Sequence, residues 1–186
     1  MRRVLVVLSL GLGGFGGLVG LGACPPPDAS TVADAPSTFI AFTPAFQDFR
    51  SWTSFHSDGP PADAYPTRPD VLGPRTQYIN HVPEHGATEF PVGTIIVEAR
   101  ENSTMRIFAS VKRGGQFNAT GAVNWEYFEL TEAAGSGSPV SMTWRGVGPP
   151  LGDTYGGDPN GCNSCHTVCG ATNDFICSAK LQLKEF

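Results

Sequence analysis

The chain has 186 residues, 40% of them hydrophobic, which suffices for one domain with a sizeable core and is too short for a multidomain enzyme. Only 16% of the residues are charged, and 23 glycines with 16 prolines predict a domain rich in loops. The 12 basic residues against 17 acidic residues argue against nucleic-acid binding, because that affinity depends mainly on Lys and Arg side chains that neutralise phosphates.

The beginning of the chain is organised like a bacterial export signal. Arg2 and Arg3 supply positive charge, and residues 4–21 form an apolar run rich in Leu, Val and Gly. The run ends in Leu-Gly-Ala-Cys, which resembles the lipobox of bacterial lipoproteins, so we expect a lipoprotein signal peptide over residues 1–23 and lipidation of Cys24. The domain would then be lipid-anchored in the cell envelope, in the periplasm or at the cell surface, where disulfides persist. A plain signal peptide and a permanent transmembrane anchor are the alternatives.

Residues 24–38 are rich in proline and small polar residues and show no apolar periodicity. This composition predicts an extended, lipidated tether that contributes nothing to a core. The domain proper is therefore expected over residues 39–186.

The hydrophobic period changes along the domain from that of a helix to that of strands. Residues 46–54 place Phe46, Phe49 and Trp52 on one face, which predicts a short amphipathic helix. Later runs rich in β-branched and aromatic residues predict a mostly antiparallel sheet of about five strands. These runs cover residues 75–82, 94–100, 104–112, 123–130 and 140–145. Nine of the sixteen residues at 146–161 are Gly or Pro, which predicts an irregular connection to the C-terminal segment.

The C-terminal segment contains the pattern Cys-x-x-Cys-His at Cys162, Cys165 and His166, which is typical of covalent c-type haem attachment. Two thiols one helical turn apart can each add to a vinyl group of one porphyrin, and the next residue offers an imidazole to the iron. We therefore expect one covalent haem c with His166 as iron ligand. The predicted fold class is α+β and mainly β: the antiparallel sheet, an N-terminal helix and a C-terminal haem-binding helical segment.

Two other kinds of site would use the same cysteines. A redox dithiol needs only Cys162 and Cys165, but such motifs normally lie near a βαβ pattern, which this sequence lacks. A zinc site could also recruit Cys169 and Cys177, although structural zinc sites usually pair two Cys-x-x-Cys motifs across a longer gap. Once Cys24 is assigned to lipid and Cys162 and Cys165 to haem, Cys169 and Cys177 remain as an even pair, which predicts a disulfide that contributes about 2 kcal/mol. Two buried thiols or a regulatory pair are the alternatives.

The position of the haem motif after the strands resembles the cytochrome P-460 family and its relative cytochrome c′-beta. Most monohaem cytochromes c instead place the motif near the start of a small helical domain. The resemblance runs along the chain from Phe49 and is carried by short motifs in this order: FRSW, RTQYIN, FPVGTIIVE, ASVK, NWEYF, CNSCH and NDFICSAKL.

The resemblance implies a β-rich homodimer with one haem c per subunit, five-coordinate iron on His166 and an open distal face. Members that oxidise hydroxylamine also carry a lysine cross-linked to the porphyrin and a distal carboxylate. Members of the c′-beta type lack the cross-link, cap the iron with phenylalanine and bind nitric oxide or carbon monoxide. In this sequence Glu98 aligns with the cross-linking lysine and Phe108 with the distal carboxylate, so both residues are replaced and Phe108 is expected to cap the iron.

The strand period predicts which charged residues lie near Glu98 and Phe108. Arg106 shares a strand face with Phe108, where it could reach Glu98 or a haem propionate. Glu98 in such a pocket is a candidate proton acceptor. The alternative is a solvent-facing pair of Glu98 with Arg106 or Lys112, which contributes little energy. Lys112 is expected to be a surface residue at the end of its strand.

The sequence thus predicts an envelope cytochrome that carries out redox chemistry or electron transfer with small nitrogen species, such as hydroxylamine or nitric oxide, and with a redox partner protein. If it is an enzyme, it is a haem oxidoreductase. The alternative is a haem module that only binds diatomic gases. As sixth ligands, Met105 and Met142 are less consistent because they lie in alternating strands, and His56, His81 and His85 lie in polar or turn contexts.

Overall fold

The computed structural model describes residues 37–58, 73–100, 107–132, 139–148 and 161–186. Six strands form one antiparallel sheet in which each strand pairs with the next one along the chain. The strands are β1 (Thr53–Ser57), β2 (Arg75–Ile79), β3 (Ile95–Arg100), β4 (Ile107–Lys112), β5 (Trp125–Glu132) and β6 (Val140–Gly146). The α-helix of the described residues is α1 (Gly161–Cys169), and 3₁₀ turns lie at Thr43–Phe46, Phe49–Ser51, Ala171–Asn173 and Leu183–Glu185.

The mainly β architecture is confirmed, with six strands rather than about five. The additional strand, β1, begins inside the segment 46–54 that was predicted to be an amphipathic helix. That helix prediction is wrong: Phe46 and Phe49 are buried on the same side of the sheet, but they belong to two separate 3₁₀ turns. A spacing of three residues suits a 3₁₀ turn as well as an α-helix, so aromatic periodicity alone could not distinguish them.

The middle strands of the sheet carry most of the core. In β3, five consecutive positions include four buried residues, because apolar side chains leave the strand on both faces. At the edge of the sheet, β1 has no buried residue. Both faces of the central strands are therefore covered by other parts of the chain.

The segment before β1 covers the first face of the sheet. It is joined to the turn after β4 by a hydrogen bond from the Phe39 amide to the Arg113 carbonyl, 2.8 Å long. The turn requires glycine at position 114, where φ is 72° and a Cβ atom would collide with the Ser37 carbonyl. The core on this face consists of Ala41, Phe46, Phe49, Ile95, Val97, Ala99, Ile107, Ala109, Val111, Phe128, Leu130 and Val140.

The C-terminal residues 161–186 cover the second face, and they include the Cys-x-x-Cys-His motif. The buried residues on this side come from the sheet, its loops and the C-terminal segment: Ile79, Phe90, Ile96, Ala122, Trp125, Tyr127, Ile176, Leu181 and Leu183. Cys162 packs against this cluster as a partly buried residue. The fold therefore places the motif directly over the second face of the sheet.

Candidate functional site

Helix α1 carries the motif on its first two turns. Cys162 and Cys165 are half-buried, and neither belongs to the disulfide described below. Asn163, one of the two residues between them, attaches the helix to a loop. Its side-chain oxygen accepts hydrogen bonds from Asn118 Nδ2 at 2.7 Å and from the Ala122 amide at 2.9 Å. The loop between β4 and β5 thus fixes the start of the helix.

The tautomer of the His166 imidazole is fixed by a hydrogen bond to a backbone carbonyl. Its Nδ1 atom lies 2.8 Å from the Phe175 carbonyl oxygen. A carbonyl can only accept, so Nδ1 carries the proton and Nε2 carries the lone pair. Burial lowers the pKa of His166, although the bond to Phe175 and the charge of Glu98 oppose this shift. The result is a neutral imidazole with Nε2 ready to bind a metal, which is the arrangement that haem ligation needs.

Tyr127 lies beside His166 on the second face of the sheet. The two ring centroids are 4.7 Å apart. The phenol is 4% exposed, and its hydroxyl has no hydrogen-bond partner among the described residues. Burial, and then the charges of Cys162, Cys165 and Asp174, raise the pKa of Tyr127 well above its ordinary value. A neutral, unsatisfied donor therefore lies close to both motif cysteines.

The sequence did not lead us to expect Tyr127 beside His166 and the motif cysteines. A signal was present, since Trp125 and Tyr127 alternate along β5 and share a face. The sequence alone did not tell which face would receive the C-terminal segment.

The two predicted distal residues come together. Glu98 on β3 and Phe108 on β4 are direct cross-strand partners. Two pairs further along the same strands, Ile96 lies opposite Ser110, which in turn lies opposite Tyr127. Because alternate residues of a strand share a face, Glu98 and Phe108 lie on the same face of the sheet as Tyr127.

Glu98 is engaged by two arginines. Arg75 Nη1 is 3.2 Å from both carboxylate oxygens, and Arg100 Nε is 3.0 Å from Oε1. The Arg100 guanidinium also lies over the Phe108 ring, 5.2 Å from its centroid. Arg106, one of the two expected partners, lies outside the described residues. The carboxylate is therefore held in a half-buried ion-pair cluster, with 18% of its side chain exposed.

The other expected partner of Glu98, Lys112, is found elsewhere, and the prediction that it is a surface residue is wrong. It is 2% exposed, and its Nζ lies 2.6 and 2.7 Å from the two carboxylate oxygens of Asp174. The exposed Glu89 lies 3.5 Å from the same Nζ. Burial raises the pKa of Asp174, while the bonds from Lys112, Phe90 and Trp125 act in the opposite direction. The strand end is buried because the C-terminal segment folds over it.

The predicted disulfide between Cys169 and Cys177 is confirmed, with the two Cα atoms 5.2 Å apart. Both sulfurs lie close to the Cys165 carbonyl oxygen, at 3.6 and 3.7 Å. The bond joins the end of α1 to the segment that follows Phe175. It also uses two of the four thiols that the zinc alternative requires, and the described residues contain no cluster of three or more His, Cys, Asp or Glu side chains arranged for a metal ion.

Met142 and His85 are accounted for by packing and by a hydrogen bond, while His81 is an exposed residue soon after β2. Met142 packs against the core on the first face of the sheet, away from His166. His85 Nδ1 lies 2.6 Å from the Phe186 carbonyl oxygen, and His56 lies on the edge strand β1. Met105 lies outside the described residues.

Comparison of the chain with protein-family profiles, with curated proteins and with solved structures gives no match. Within the described part of the chain, no helix has both the length and the apolar character needed to cross a membrane. The predicted signal peptide and the lipidation site at Cys24 lie outside the described residues.

Proposed function

We propose that this chain is a monohaem c-type cytochrome of the P-460 type, anchored in the cell envelope through a lipid on Cys24 and assembled as a homodimer. One observation supports the haem most strongly. The two motif cysteines lie on one helix beside His166, and the Nδ1 proton of His166 is donated to Phe175, which leaves Nε2 for the iron.

The residues present fit this cofactor. Cys162 and Cys165 would hold it covalently, and His166 would bind the iron. The buried Tyr127 hydroxyl, which lacks a partner in the described part of the chain, is the kind of atom that a site completed by another group leaves unsatisfied. A haem c supplies an iron that changes oxidation state and binds a small ligand on its open side. The redox dithiol and the zinc site of four cysteines make no use of the His166 imidazole.

We propose redox chemistry or electron transfer with small nitrogen species, such as hydroxylamine or nitric oxide, and with a redox partner protein. In this function Glu98 would accept a proton from the substrate, and the two arginines would hold the carboxylate in place. Phe108, its cross-strand partner, would limit the space beside it.

A second candidate function is a haem module that binds nitric oxide or carbon monoxide without catalysis. The contacts of Glu98 favour it, because Arg75 and Arg100 already occupy both carboxylate oxygens. A proton acceptor must have a lone pair within reach of the substrate. With Glu98 so engaged, the apolar ring of Phe108 would dominate the pocket.

Haem attachment is tested by exporting the chain, without its tether, from a host with c-type haem maturation. The pyridine haemochrome spectrum and the intact mass should show one covalent haem per chain. The double variant Cys162→Ala with Cys165→Ala should abolish haem attachment. The matched control, Cys169→Ala with Cys177→Ala, removes two cysteines outside the motif and should retain it. A wild-type chain without haem would contradict the proposal and favour zinc or a dithiol.

The two functions are separated by optical spectra and turnover. A ferrous protein that is high-spin, binds carbon monoxide and does not oxidise hydroxylamine supports the gas-binding module. Turnover of hydroxylamine that is lost in Glu98→Gln supports the redox function. A strongly red-shifted ferrous band would reveal a haem cross-link and would contradict the alignment of Glu98 with the cross-linking lysine.

A further inference from the structure

The turn at Asp174 and Phe175 connects His166 to the rest of the fold. Both residues have left-handed backbone conformations, with φ of 48° and 63°, which side-chain-bearing residues seldom adopt. Their amides donate to the carbonyls of Ala171 and Gly170, at 3.0 and 2.9 Å. The Phe175 carbonyl then accepts the Nδ1 proton of His166. The orientation of the imidazole therefore depends on the geometry of this turn.

Three groups from the sheet and its loops hold the Asp174 side chain. Lys112 Nζ donates to both carboxylate oxygens, the Phe90 amide donates to Oδ2 at 2.9 Å, and Trp125 Nε1 donates to Oδ1 at 3.4 Å. Lys112 also lies over the Trp125 ring, 5.4 Å from its centroid. Lys112 and Trp125 are cross-strand partners at the adjoining ends of β4 and β5, so the turn is attached to the end of two central strands.

A gain in stability alone does not account for the buried ion pair of Lys112 and Asp174. Removal of both charges from water is costly, and apolar residues of similar volume often replace a buried ion pair without loss of stability. What a hydrogen-bonded pair provides is one defined geometry, because the carboxylate must meet its donors at fixed distances and angles. Here that geometry is imposed on a strained turn whose next carbonyl binds the imidazole.

We propose that Lys112 and Asp174 are positioning residues for His166. They hold the turn so that the Phe175 carbonyl keeps the imidazole proton on Nδ1 and leaves Nε2 directed away from it. The purpose of this arrangement rests on the proposed haem function, since Nε2 is then the atom that binds iron. The arrangement itself belongs to the protein chain and can be tested without haem.

The first test uses the full chain exported from a host that lacks c-type haem maturation. Long-range ¹H–¹⁵N NMR of the His166 ring reports which nitrogen carries the proton. The wild-type chain should show the Nδ1–H tautomer. Asp174→Asn, and the double variant Lys112→Met with Asp174→Asn, should show a smaller Nδ1–H fraction. The double variant leaves neither charge of this pair buried, so it keeps the test valid if the single variant does not fold.

A matched control separates positioning from general destabilisation. Arg50 and Glu132 form an ion pair 2.8 Å long in which Glu132 is also buried. It packs beside Phe49, on the opposite face of the sheet from His166. Arg50→Met leaves the Glu132 carboxylate without this cation, so it should lower stability and leave the tautomer unchanged. The proposal is overturned if the folded Asp174 variants keep the wild-type tautomer, or if the control changes it as much.

The second test uses the haem-loaded protein. Loss of the Nδ1–H bond makes the imidazole a weaker donor to iron. The reduction potential should therefore rise in the Asp174 variants, and the iron–histidine stretch of the ferrous protein should shift to lower frequency, with no such change in the Arg50 control. A wild-type chain that takes up no haem would refute the proposed function, while the tautomer measurement would still decide the role of Lys112 and Asp174.

Discussion

The Tyr127 hydroxyl is buried with no hydrogen-bond partner in the described part of the chain. In the haem-free protein, Tyr127→Phe should raise the free energy of unfolding by about 1 kcal/mol, because the desolvation of an unpaired polar group is removed. The matched change Tyr78→Phe removes a hydroxyl that lies 3.4 Å from Arg50 Nη1, and it should lower stability slightly. Urea denaturation of both variants measures the difference, and a loss of stability in Tyr127→Phe would show that the hydroxyl has a partner.

The buried Lys112 and Asp174 side chains depend on each other. Lys112→Met leaves the Asp174 carboxylate buried without its cation, and we expect a loss of about 3–5 kcal/mol in the free energy of unfolding. The double variant Lys112→Met with Asp174→Asn should recover much of that loss, since no buried charge is left. Equilibrium denaturation measures both. A single-variant loss below about 1 kcal/mol would mean that the pair behaves like one on the surface.

At this scale, the disulfide of Cys169 with Cys177 could be predicted because these two cysteines remain once the other three are assigned. The haem role of Cys162, Cys165 and His166 stays a prediction. The burial of Lys112 could not be predicted, because its partner Asp174 is 62 residues away in the sequence. Long-range packing of that kind leaves no periodic trace in the sequence.

At the scale of elements, the strands were predicted within a few residues because buried strands alternate or run continuously apolar. The exception is β1, an exposed edge strand of five residues with no buried position. Without a buried face it lacks the pattern by which strands are recognised, and the aromatic spacing just before it suggested a helix. The cross-strand pairing of Glu98 with Phe108 was not predicted, because the strand period gives the face of each residue but not its partner on the next strand.

Helix α1 packs on the loop after β4 through Asn163, which lies beside Gly121 of that loop. A Cβ atom on Gly121 would collide with the Asn163 side-chain amide, so Gly121→Ala should destabilise the fold. Asn163→Ala leaves the Ala122 amide without its acceptor and should cost about 1–3 kcal/mol. Because the second change removes the obstacle met by the first, the double variant should cost less than the sum of the two. Additive losses in a double-mutant cycle would show that the two sites are independent.

At the scale of the whole molecule, the proposed lipid anchor determines where the domain is found. Cys24→Ala removes the acceptor of the lipid, so the protein should move from the membrane fraction to the soluble fraction of the envelope. Fractionation followed by immunodetection measures the distribution. The domain itself should keep its fold, since Cys24 belongs to the predicted tether, whose composition cannot build a core. A variant that stays in the membrane fraction would favour a transmembrane anchor.

The order of strands in the sheet has a consequence for the folding pathway. Each of the six strands pairs with its neighbour in sequence, so the sheet can form by closing loops of at most 17 residues, which costs less entropy than closing longer ones. Residues 161–186 pack on a face whose strands are already paired without them. We therefore expect the sheet to form first and the C-terminal segment to dock last, which leaves Cys162 and Cys165 accessible for haem attachment on a largely folded chain. In pulsed hydrogen exchange, amides of β3 to β5 should be protected before those of α1, and simultaneous protection would contradict this order.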